Sequence, residues 1–208
     1  MDGMAERRIP YFSQWETPDM TMAVLAEGAR TALLKDPLWA HSGARDVEDY
    51  ARWAGNICGM ASLKMVLAAR TGEILPTVDL ALACKEYGGY VEEPEGKIKG
   101  LIYAPFVPFV KDRFGLNARV VTGISVTDID DILTQSEFFI ASVHHSIRWP
   151  DTEPPSKGGH LVLVTAVSSN MVRFHNPSGH EPATRENVEL PLEIFDRFFA
   201  GRGIVIDL

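Results

Sequence analysis

Two stretches, Phe138–Val143 and His160–Val167, restrict the fold of this chain more than any others. Both are continuous apolar runs of strand length, the pattern of strands buried on both faces. Ser168-Ser169-Asn170 can turn the second run back into Met171–Asn176, so an antiparallel hairpin is expected there. Further strands are expected over Asn117–Thr122 and Gly203–Leu208. The first half of the chain reads differently. Apolar residues recur at helical spacing over Thr17–Lys35, around Val47–Tyr50, from Cys58 to about Arg70, over Thr77–Tyr87 and over Ala104–Phe114. A short acidic-start helix over Thr127–Leu133 and a last helix opened by Pro191 complete the pattern. Helices first and an antiparallel sheet second is an α+β layout, and 208 residues suit a single domain.

Charge narrows the partners. A formal net charge of −8 with no compensating basic stripe argues against nucleic acid and against an anionic membrane surface. No apolar run reaches the roughly 18 residues a membrane span needs. Met1–Arg8 is polar and carries no apolar signal core, and two cysteines make no disulfide framework, so a reduced, cytoplasmic protein is expected. No phosphate-loop pattern is present, and His144, His145, His160, His175 and His180 lack metal-ligand spacing. Neither a cofactor nor a metal is expected.

The chemistry is expected at Cys58. Met60, Leu63 and Leu67 follow it at helical spacing, so a helix should begin at or near the cysteine. A thiol there faces the positive end of the helix dipole and unpaired backbone N–H groups, an environment that favours thiolate. Gly59, with no side chain, would leave a carbonyl carbon room to approach the sulfur. Cys84 lies on the apolar stripe of the next helix and is read as core.

The hairpin carries the second clue. His160 begins one strand and Asn176 ends the next. With a loop of Ser168–Asn170, Val162 stands opposite Asn176, and His160 and Asn176 become diagonal neighbours on one face. A two-residue loop would put them on opposite faces, so the pairing hangs on register. Together these residues suit a thiol nucleophile: Cys58 supplies sulfur, His160 moves the proton and Asn176 holds the ring in the useful tautomer. Gln14 is the only glutamine upstream of Cys58 and suits an oxyanion donor, with Asn56 as its substitute. Trp53, Trp149 and Gly159 are further candidates for the substrate-binding wall, and loop residue Asp151 is a rival to Asn176.

Four segments, Ile9–Gln14, Asn56–Leu67, Gly158–Val164 and His175–Gly179, taken in order, resemble the C39-like group of papain-fold cysteine peptidases, related to bacteriocin-processing peptidase domains. That resemblance implies a papain-like fold, no cofactor and a peptide or amide substrate. It maps Gln14 to the oxyanion residue, Cys58 to the nucleophile, His160 to the base and Asn176 to the orienting residue. Two departures stand out: the orienting position is often Asp in that group, and 44 positions (58 − 14) separate Gln14 from Cys58. Residues 17–53 then read as a helical insertion beside the cleft. Three functions fit such a site: hydrolysis through an acyl-enzyme, acyl transfer to an amine, or a catalytically silent fold that binds peptides or partners.

Overall fold

A computed structural model describes residues 8–207; Leu208, placed above in the last strand, lies outside them. The helical half comprises α1 (Thr21–Glu27), α2 (Ala29–Ala32), α3 (Val47–Ala54), α4 (Cys58–Thr71), α5 (Thr77–Glu86) and α6 (Tyr103–Phe114). Strand β1 (Ala118–Thr122) and α7 (Asp128–Gln135) lead into β2 (Phe138–Val143), β3 (His160–Ser168), β4 (Met171–His175) and β5 (Val188–Pro191). Helix α8 (Leu192–Phe198) passes directly into β6 (Phe199–Ile206). The strands form one antiparallel sheet in the order β1-β6-β2-β3-β4-β5.

The two apolar runs that open the sequence argument become β2 and β3, side by side in the sheet. Their lack of alternation has a simple cause: both faces are covered. Ile140, Leu161, Leu163, Ile204 and Ile206 pack with α3–α6 in one core, whereas Phe139, Val162, Val164 and Val205 pack with α7 and α8 in a second. Helix α4 lies within the first core, buried from Gly59 to Leu67, and ends on Gly72 in the left-handed region. Among the described residues no helix is long and apolar enough to cross a membrane.

Several boundaries differ from the sequence reading. The single helix expected over Thr17–Lys35 is broken at Gly28, whose φ of 84° belongs to neither flanking helix. The expected inner face splits with it: Leu33 is fully buried, but Met22 and Leu25 are 56% and 39% exposed. Asp36 ties this region down by accepting from the Thr17 and Leu38 N–H groups, the Thr17 hydroxyl and the Tyr50 hydroxyl. The Ile9–Trp15 segment has no regular secondary structure and joins no strand of the sheet. β5 was not foreseen; it is a four-residue edge strand that ends on a proline, too short to signal itself.

Candidate active site

The hairpin register decides the geometry. Its turn is the two-residue Ser169-Asn170, both at positive φ, with Ser168 opposite Met171. Unbroken, that pairing would set His160 and Asn176 on opposite faces. A bulge between Val164 and Ala166 shifts the ladder by one residue, so Leu163 lies opposite His175. The expected three-residue loop is therefore wrong, and an irregularity in mid-strand restores the register it was invoked to explain.

As a result His160 Nε2 lies 2.9 Å from Asn176 Oδ1. The same oxygen accepts the Ser178 backbone N–H at 3.1 Å. A backbone N–H can only donate, so the Asn176 amide is oriented with its oxygen toward the ring. Nε2 therefore carries the proton, and Nδ1 keeps a lone pair. Ser178 Oγ stands 3.1 Å from His160 Nε2 and accepts from the Arg148 guanidinium at 2.8 Å. Neither Ser178 nor Arg148 was picked out as a site residue in the sequence. The available signal was the turn Asn176-Pro177-Ser178, in which an Asn side chain caps the N–H two residues on.

Cys58 opens α4 as expected. Backbone N–H groups of Leu161, Gly59 and Cys58 itself act on its sulfur to favour the thiolate, which sets it beside the residue that follows His160. Cys58, Gly159 and His160 line two adjoining cavities. One, of about 390 Å³, runs toward Leu101, Tyr103 and Arg202. The other, of about 240 Å³, runs toward Gln14, Asn56, Leu25 and Arg148. Gln14 Nε2 donates to Ala54 O at 3.0 Å, while its buried Oε1 has no partner among the described residues. Asn56 Nδ2 donates to Arg52 O at 3.4 Å.

Burial disfavours the charged form of both Cys58 and His160. Burial pushes the Cys58 thiol up to about 11, against the pull of its three N–H donors. Burial likewise pushes His160 down to about 3; the Asn176 bond opposes this, and the charges of Arg148, His145 and His144 add to it. Desolvation thus opposes the thiolate that the helix N-terminus favours.

Three candidate wall residues are placed otherwise than expected. Trp53 is fully buried, edge-on to Tyr90 at 5.7 Å, because the inner face of α3 points into the first core; it is not a cleft residue. Gly59 is buried, and a Cβ there would come within 2.7 Å of Leu101 and 3.0 Å of Leu161. Its missing side chain makes room for Leu101 and Leu161, which line the same cavity as Cys58. Trp149 lies on the surface, with its ring 5.4 Å from that of His180. Asp151 is exposed, and Asn176 occupies the position beside His160 that it was considered for. His175 is held between Ile9 O and the Asn187 N–H, and His180 meets Thr184, so each has a structural partner. His145 lines the 240 Å³ cavity.

A helix that begins on cysteine, packed across an antiparallel sheet that presents histidine and asparagine, has the architecture of the papain-like cysteine peptidases. Within that class the fold is that of the C39 peptidase domains. The peptidase domain of Streptococcus ComA, a bifunctional ABC transporter involved in quorum sensing, superposes with a TM-score of 0.50 at 18% identity, covering 74% of this chain and 92% of that one. A candidate C39-like peptidase from Bacillus anthracis gives 0.50 at 16% identity, with 74% and 89% covered. No family model matches the sequence, and no curated protein matches it.

Proposed function

We propose that this chain is a cysteine peptidase or amide hydrolase that works through an acyl-enzyme on Cys58. The observation that carries the reading is the Asn176–His160 hydrogen bond, which leaves the lone pair on Nδ1 of a ring that lines the same cavities as Cys58. With both groups neutral at rest, His160 takes the thiol proton as sulfur attacks the carbonyl carbon, not before. The oxyanion that forms accepts from backbone N–H at the start of α4 and from the second N–H of Gln14 Nε2, whose first is anchored on Ala54. Asn56, beside it in the cavity, is the alternative donor. The protonated His160 then delivers its proton to the departing amine, and water, activated by the same ring, releases the acyl group. Residues 17–53 act as an insertion whose Val24, Leu25 and Ala29 wall one side of the cleft. Gly159 completes the floor beside His160.

The test is acylation. A panel of peptide p-nitrophenyl esters is mixed with the protein, quenched in acid and weighed intact. An acyl adduct mapped to Cys58, absent from His160→Gln, is the expected result. No adduct, or one on Cys84, refutes the reading and leaves a silent binding fold, which the raised thiol pKa favours. Adding a primary amine separates transfer from hydrolysis, since transfer yields the amine's acyl adduct.

A further inference from the structure

Arg148 is only 5% exposed, yet among the described residues no carboxylate stands within ion-pair distance of it. A guanidinium removed from water without a counter-ion is costly, and folds ordinarily pair it. Here its internal partners are neutral: Nε donates to His145 O at 2.9 Å, Nη2 to Ser178 Oγ at 2.8 Å, and the Trp149 ring lies 5.5 Å away. Those bonds use two of the five N–H groups of the side chain. Arg148 lines the 240 Å³ cavity that Cys58 and His160 share, and among the described residues no Asp or Glu lines it. The whole chain carries −8, so a cation on the wall of this cleft reverses the prevailing sign where substrate must lie.

We propose that Arg148 is a specificity-determining residue that reads a carboxylate of the substrate, borne close to the bond that Cys58 attacks. The inference rests on reading this cleft as the peptide-acylating site. The remaining N–H groups offer the paired donors that a carboxylate accepts side by side. Its source is either an acidic side chain or the free C-terminus of a short peptide. The contact to Ser178 holds the guanidinium in place while the outer N–H groups meet the ligand.

Binding tests this without relying on thiol chemistry. Full-length Cys58→Ala protein is titrated calorimetrically with capped hexapeptides in which one Glu or one Gln is walked along a constant Ala/Leu/Gly background. The same background is also titrated with its C-terminus left uncapped. The expected result is one register in which Glu, or the free terminus, binds on the order of tenfold tighter than its uncharged match. Adding Arg148→Gln brings the ratio of the two affinities close to one; Arg148→Lys keeps part of the preference. Preference for Glu marks a side-chain carboxylate, and preference for the uncapped peptide marks the terminus. Equal binding of charged and uncharged peptides in every register overturns the proposal, as do a preference that survives Arg148→Gln and failure of every peptide to bind. The first comparison needs no Arg148 variant, so a folding defect cannot mask it. A protein with the preference but no acylation at Cys58 loses hydrolysis and keeps this inference. One that acylates without the preference does the reverse.

Discussion

Acid should unfold this protein through His160, and the size of the effect follows from its burial. In the folded state the ring titrates near 3, against 6.5 for the exposed group. As the pH falls below about 6.5, the unfolded chain takes up a proton at this site that the folded protein refuses, so stability falls toward acid. The contribution is complete above the unfolded pKa and disappears as pH approaches 3. At about 1.4 kcal/mol per pH unit, the gap is worth roughly 5 kcal/mol, a large part of the 5–15 kcal/mol typical of a domain. The assay is urea unfolding of the wild type and of His160→Gln between pH 4 and 8, by linear extrapolation. His144, His145 and His175 are also pushed down by burial, but both proteins retain them, so their effects largely cancel in the difference. The wild-type advantage should be constant above pH 7 and shrink by about 1 kcal/mol for each unit below 6. An advantage that does not change with pH would refute the depressed pKa. One that grows toward acid would mean that the folded ring holds a proton, as in a thiolate–imidazolium pair.

The neutral thiol gives a second expectation: iodoacetamide should modify Cys58 slowly at pH 7, with a rate that rises nearly tenfold per pH unit to pH 9, followed by mass spectrometry. Asn176→Ala strips the acceptor from His160 and from the Ser178 N–H; unfolding should show a loss of about 1–3 kcal/mol. In the same variant, stopped-flow acylation of Cys58 should slow by roughly a hundredfold or more. Trp53→Ala should lower stability by about 3–5 kcal/mol in a thermal melt, leaving the acylation KM of the folded fraction unchanged.

Much of this was legible in the residues. The helix starting at Cys58, the two apolar central strands and the hairpin of His160 and Asn176 follow from local patterns, because periodicity and turn residues act over a few positions. What escaped were features whose cause lies elsewhere in the chain. Nothing near Thr165 announces a bulge, and nothing near Arg148 announces that it packs on Ser178, 30 residues on. The burial of Trp53 escaped for the same reason, since Tyr90, against which it packs, arrives from another element.

Residue type and spacing alone determined an α+β chain with a thiol at a helix start and an imidazole at a strand end. Only the tertiary structure decided how they work. Packing brings Gln14 across 44 positions by hydrogen-bonding its N–H to Pro177 O, beside the Asn176 turn, so chain distance to Cys58 ceases to matter. Packing also buries the ring and crowds the half-buried thiol, which pushes both toward their neutral forms where the helix dipole by itself would favour charge on the sulfur. Desolvation is a property of what surrounds a group in space, and no local stretch of sequence contains it.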